Sequence, residues 1–196
     1  MDIKIKRLTP DMAEDYLHFF DTTPHDDSSD ENKCYCVCWC SADHRTESNL
    51  SSSQKRRELA KQYVKDGVLQ GYAAYCGDRM VGWCNSNVKT DCIYCSSWLR
   101  FMQEVEIDVS KKVKSVFCFT IAPDMRKQGV ATMLLESVCT DAKAQGFDYI
   151  EAYPRKNTDG TKQFSNFQGP YRMFEKAGFI EHKELSDKVI MRKYLK

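Results

Sequence analysis

The sequence predicts an α/β fold: one central sheet of about six to seven strands, part parallel and part antiparallel, with helices on its flanks. Three observations predict it. Val116, Phe117, Cys118, Phe119 and Ile121 form a near-continuous apolar run, the mark of a strand buried on both faces. A helix-period stretch and a second strand follow it, which is a βαβ unit and gives parallel pairing. Residues 71–85 and 180–194 each divide into two short strands around a turn, which gives antiparallel hairpins. The full order reads βα(α)ββ followed by βαβαββ, and that mixture makes a mixed sheet.

Each element has its own signal. Residues 2–8 alternate apolar and charged, as an edge strand does. Thr9-Pro10 supplies an N-cap and a first-turn proline for a helix through about Phe20. Residues 21–33 carry Asp26, Asp27, Asp30 and Glu31 and read as a solvated loop. Cys34, Cys36, Cys38 and Cys40 alternate with Tyr35, Val37 and Trp39. In an extended segment that period puts all four thiols on one face. Ser51-Ser52-Ser53 caps a helix that runs to Asp66 and stops at Gly67. Residues 71–76 and 80–85 form a hairpin around Gly77-Asp78. Residues 88–112 show no clean period and read as a long insertion with room for one short helix. Pro123 ends the buried strand. Val130, Met133, Leu134, Val138 and Ala142 then mark one face of a helix that stops at Gly146. Residues 147–153 are the next strand and 154–169 a second long loop. Pro170 opens a short helix that Gly178 ends.

The chain has 196 residues, 42% of them apolar, which suits one domain over residues 1–196. Its 29 basic and 28 acidic residues nearly cancel. Nucleic-acid and membrane-surface partners need a one-sided basic field, so neither is expected. No run approaches a membrane span, and the N-terminus lacks the apolar centre of a secretion signal, so the expected location is cytoplasmic. In such a reducing compartment the ten cysteines are expected to be free, most of them packing as small apolar side chains.

The most informative segment runs from Ile121 through Ala122, Pro123, Asp124, Met125, Arg126, Lys127, Gln128, Gly129 and Val130 to Ala131 and Thr132. A buried strand ends here and a helix begins. The helix start presents unpaired N–H groups and a positive dipole end. Gly129 has no Cβ and Ala131 only a methyl, so an anion can approach the backbone, and Arg126 and Lys127 add charge. Together these features describe a pyrophosphate cradle. It is not a Walker loop, because no Gly-Lys-Ser/Thr follows, and a single glycine excludes the dinucleotide fingerprint.

Arg126-x-x-Gly129-x-Ala131, after a strand ending Ile121-Ala122-Pro123, resembles the acyl-CoA signature of the GNAT N-acetyltransferase superfamily. Tyr171 to Phe179 resembles that superfamily's last helix and its Gly-Phe exit, at the expected distance. The resemblance covers residues 112–181, which would be the acyl-CoA-binding core. The Cys-rich segment and the 88–112 insertion lie outside the common pattern. The resemblance implies a GNAT-like sheet, acetyl-CoA as co-substrate, and direct transfer to a primary amine of a small molecule or peptide. A monomer or homodimer is expected.

The resemblance also implies site residues. The cofactor would be held by Ile121, Ala122, the loop Arg126 to Thr132, and Phe174. The family's oxyanion donor, a strand N–H, falls near Ile121 and Ala122. Residues 115–122 carry no carboxylate, so Glu151 on the next strand is the candidate base. The family's acid is a Tyr five residues before the exit Phe, and here that position is Phe174. Tyr171, one turn earlier, or a water is the candidate acid. The family's Asn at the helix start falls on Phe167, with Asn166 beside it. Trp39, Trp98 and Phe101 would wall the acceptor pocket.

Two other function classes stay open. The same fold would hold acyl-CoA without transferring the acyl group, and Phe174 in place of Tyr favours that. Cys92 and Cys95, with the Cys-x-Cys run and His44, would suit zinc or a redox role. His18, His25 and His182 are scattered and suggest no nucleophile-base pair.

Overall fold

The computed structural model describes residues 2–24, 30–40, 50–156 and 167–196. His25, His44 and Asn166 lie outside them. Its sheet has seven strands: β1 Ile3–Arg7, β2 Gly71–Cys76, β3 Arg79–Val88, β4 Val113–Ile121, β5 Tyr149–Ala152, β6 Ile180–Glu184 and β7 Val189–Tyr194, in the order β1-β2-β3-β4-β5-β7-β6. Only β4 and β5 run parallel; every other neighbour pair is antiparallel. The mixed sheet predicted from the hairpins and the βαβ unit is therefore present.

The helices divide between the two faces. α1 Ala13–Thr22 and α2 Ser53–Lys65 cover one side. After β3 come the short helices α3 Lys89–Cys92 and α4 Ser96–Phe101. α5 Val130–Ala144 covers the other side, and α6 Tyr171–Lys176 precedes the last hairpin. Side chains alternate across a strand, so Gly82 looks at Val130 of α5 while Trp83 meets Tyr16 of α1 edge-on at 5.0 Å. The Ser52 hydroxyl caps α2 by accepting from Lys55 N–H, as the serine run predicts. Thr9 makes no side-chain cap. Pro10–Met12 is a 3₁₀ turn instead, and α1 extends to Thr22.

Two sequence expectations need correction. The Cys34–Cys40 segment is not extended. Tyr35 and Cys36 take left-handed φ of 47° and 55°, and Val37–Trp39 is a 3₁₀ turn. The segment is a compact wedge between α1 and the sheet, fixed by the Tyr16 hydroxyl donating to the Tyr35 carbonyl at 2.8 Å. Alternation survives in sequence, but Tyr35, Cys36, Val37, Trp39 and Cys40 are all buried. The 88–112 stretch lacks a period because its helices span only four and six residues.

β4 has one irregularity that positions the site. Asn85 of β3 faces Cys118, and Ser86 faces Val116, so Phe117 is an extra residue in the ladder, a β-bulge. On the other edge β4 pairs with β5 only from Val113 to Val116. Beyond that point the two strands part.

Lys114 of β4 is 4% exposed, with its ammonium 5.4 Å from the Phe147 ring. Burial, with Arg7 nearby, pushes its pKa down to about 8. The unfolded chain keeps this proton to about pH 10.4. Between the two values the unfolded state holds more protons, so this group's contribution makes stability rise with pH. Below about pH 8 the folded state bears the full cost of the buried charge. Lys114→Met is expected to raise Tm at pH 7, by a margin that shrinks toward pH 10. A Tm below the parent's at pH 7 contradicts this reading.

Candidate active site

The loop expected to cradle the phosphates joins β4 to α5. Pro123–Met125 makes a 3₁₀ turn after β4, and α5 starts at Val130. Gly129 is the N-cap at φ 82°, and a Cβ there would meet no atom within 4 Å. The space beside this backbone is open, and L side chains rarely adopt the conformation that opens it. Lys127 also takes a positive φ of 60°. The first-turn amides of α5, at Val130, Ala131 and Thr132, have no acceptor within the helix. Arg126 Nε donates to the Ile121 carbonyl at 3.2 Å, and Gln128 Nε2 to the Asp124 carbonyl at 2.7 Å. These bonds tie the loop back to the strand end. Backbone donors, a dipole end, two cationic residues and an open approach fit a pyrophosphate.

The strand gap begins where β5 leaves β4. Phe119 N–H points into it and donates to the Phe167 carbonyl at 2.5 Å. By two-residue alternation Ile121 faces the same edge. Ala122 does not: its N–H is held by the Val81 carbonyl at 2.9 Å. Of the two expected oxyanion donors, Ile121 keeps the right edge and Ala122 is spent inside the sheet. Sequence reasoning missed that Phe119 N–H faces this same edge, because only the bulge and the end of β4–β5 pairing reveal it.

Glu151 lies on β5 opposite Ser115, fully buried. One carboxylate oxygen accepts from Lys89 Nζ at 2.5 Å and from the Tyr153 hydroxyl at 2.9 Å. The other accepts from Arg192 Nε at 2.7 Å. Lys89 also donates to the Glu106 carbonyl at 2.6 Å, and its ammonium is 5.7 Å from the Trp98 ring. Burial lowers the Lys89 pKa, and the Glu151 charge opposes that shift. Burial, then the Glu151 charge, pushes the Tyr153 phenol well above its ordinary range. Glu151 thus has no exposed edge. An amine reaches it only through a partner.

Tyr171 turns its hydroxyl toward β6. Its hydroxyl donates to the Glu181 carboxylate on the exposed face of β6, and that bond raises the Tyr171 pKa. Phe174, fully buried, packs on Phe119 at 6.2 Å between ring centroids and lies at the strand gap. The i to i+3 spacing did not carry the tyrosine to the gap, because β6 offers its hydroxyl a carboxylate. Tyr171→Phe is therefore expected to change turnover by less than about threefold, against the 10²–10⁴-fold typical of a working acid. A loss of about a hundredfold contradicts this placement.

Two of the three aromatic residues expected to wall the acceptor pocket, Trp39 and Trp98, pack in one cluster. Trp39 stacks on Phe117 at 4.5 Å and 10°. Phe117 stacks on Tyr153 at 5.7 Å. Trp98 meets both rings edge-on, at 6.2 and 6.4 Å. Phe101 is 51% exposed and outside this group. The Cys-rich segment and the 88–112 stretch thus both pack against the β4 bulge. Cys40 lies beneath, accepting from Asn85 and Asn87 Nδ2 at 3.9 and 3.8 Å, and burial pushes its thiol up to about 12. Among the described residues no group of three or more His, Cys, Asp or Glu side chains is arranged to hold a metal. All ten cysteines are free thiols.

The sequence model of the acetyltransferase (GNAT) family matches residues 9–179. The chain belongs to the GNAT acetyltransferase family. A search of the curated proteins gives no match. The fold agrees with GNAT structures along its whole length. A GNAT-family protein from Desulfovibrio desulfuricans superposes with a TM-score of 0.57 at 15% identity, over 100% of each chain. The PaiA N-acetyltransferase of Thermoplasma acidophilum, solved with coenzyme A, gives 0.54 at 12%, over 99% of each. A ribosomal-protein-alanine N-acetyltransferase from Brucella melitensis gives 0.55 at 14%, over 98% of this chain and 99% of that one. At these identities the GNAT likeness is one of fold. Among the described residues no helix is long and apolar enough to cross a membrane.

Proposed function

We propose that this GNAT chain transfers an acetyl group from acetyl-CoA to the primary amine of a small molecule or peptide by direct attack. The observation that carries the reading is the open backbone at Gly129 on the start of α5, directly after a strand that has parted from its neighbour. Arg126, Lys127 and the first-turn amides would hold the cofactor's pyrophosphate. Its pantetheine arm would run along the free edge of β4, with Ile121 and Phe119 offering N–H groups. The thioester oxygen would replace the Phe167 carbonyl as acceptor of the Phe119 N–H, and that donor would stabilise the developing oxyanion.

Glu151, the one carboxylate on β5, serves as the base. No acid is assigned from α6, because Phe174 has no proton to give. A thiol of ordinary pKa near 8.5 leaves readily as thiolate, so solvent is a sufficient proton source. Phe174 also favours a second reading, a module that binds acyl-CoA without turning it over. The test is thiol release from acetyl-CoA across primary amines and peptide N-termini. Amine-dependent release supports transfer. Coenzyme A binding without release supports the second reading.

A further inference from the structure

Glu151 is fully enclosed, so the way its proton enters and leaves can be read from its partners. Among the described residues three side chains bond its oxygens: Lys89, Arg192 and Tyr153. An arginine does not give up its proton in a protein. Lys89 is engaged by Glu151, the Glu106 carbonyl and the Trp98 ring, and among the described residues it donates to no β4 group. Tyr153 is the remaining partner, and it reaches back to β4, where its oxygen lies 2.8 Å from Ser115 Oγ. The direction of this chain is fixed. The carboxylate only accepts, so Tyr153 donates to it, and Ser115 must then donate to Tyr153. A serine hydroxyl has one proton and two lone pairs. No described residue claims the Ser115 lone pairs, although Ser115 is fully buried. Buried acceptors of this kind are normally satisfied. Ser115 is also on the strand that carries the Phe119 donor, two residues before the bulge.

We infer that Ser115 and Tyr153 form a proton relay between the acceptor amine and Glu151. This rests on the acetyl-transfer reading above. As the amine nitrogen bonds the thioester carbon, one N–H proton passes to Ser115 Oγ. The Ser115 proton passes to the Tyr153 oxygen, and the Tyr153 proton to Glu151. The carbon–sulfur bond then breaks with its electron pair leaving on sulfur. The proton held by Glu151 returns along the same path to solvent once the amide departs. Ser115 would touch the amine. Tyr153 acts through it and keeps its ring stacked on Phe117 throughout.

The test uses the whole chain, with acetyl-CoA and methylamine, an amine small enough to enter any acceptor site. Tyr153→Phe keeps the ring stack and removes the relay. Thiol release is expected to fall about 10²-fold or more, with coenzyme A affinity by calorimetry unchanged. Ser115→Ala should show a comparable loss, and Ser115→Thr should recover most of the rate. In mixtures of light and heavy water the wild-type rate should bow below a straight line, because several protons move together, and Tyr153→Phe should lose the bow. Tyr153→Phe within about threefold of wild type, while Glu151→Gln is slow, overturns the relay and leaves the base in place. A wild type that binds coenzyme A yet releases no thiol with methylamine or with the peptide amines overturns the function on which the relay rests.

Discussion

Gly129→Val is expected to abolish the rise in Tm that acetyl-CoA gives the wild-type protein. A ligand that binds only the folded state stabilises it by mass action, by about 2.7 kcal/mol at a hundred times its Kd. The valine acts in two ways. Gly129 has φ 82°, a conformation a β-branched residue resists, so the loop must shift. Its side chain also projects into space where no described atom lies within 4 Å of the Cβ, the space through which a phosphate would approach. The change leaves the core untouched, so the variant should fold and fail to bind. Differential scanning fluorimetry with and without acetyl-CoA reads both properties. A folded Gly129→Val that keeps the full shift means that the phosphates lie elsewhere.

Glu151→Gln should show two losses at once. As the base, its removal is expected to cost about 10²–10⁴-fold in acetylation rate. As the anion between Lys89 and Arg192, its neutralisation leaves two buried cations without their charge partner, and breaking a buried pair in this way costs about 3–5 kcal/mol. Denaturant unfolding and steady-state kinetics below the transition separate the two. Coenzyme A affinity of the folded fraction should be unchanged, because the cradle and Glu151 lie at opposite ends of the strand gap. A rate within about threefold of wild type shows that the carboxylate is only structural.

The parts of this site that were legible in the sequence are local. The cradle is one strand end, one turn and one helix start within twelve consecutive residues, and its chemistry is written in Gly129, Ala131 and two cationic residues. The mixed sheet was legible for a similar reason, since each strand and hairpin carries its own pattern. Glu151 could be picked out by type and strand, but not its surroundings. Lys89 lies 62 residues away in sequence and Arg192 41, and neither spacing belongs to any short-range pattern. The same holds for Ser115 and Tyr153, which meet only because β4 and β5 run parallel. The Cys-rich segment misled in a different way. Period two describes a strand only if a neighbour offers an edge. Here the segment packs in a 3₁₀ turn against aromatic rings. For Tyr171, helix spacing fixes a face, while a carboxylate on β6 decides where its hydroxyl points.

The acetylated product is the readout of the transfer itself. The protein is incubated with acetyl-CoA carrying a ¹³C-labelled acetyl group and with a panel of small primary amines and peptides. The amines are then weighed by mass spectrometry while free thiol is titrated in parallel. A labelled acetyl group is expected on an amine nitrogen, in amounts equal to the thiol released, and lost in Gly129→Val. Folded protein that binds coenzyme A but leaves every amine unlabelled and the thioester intact would contradict it.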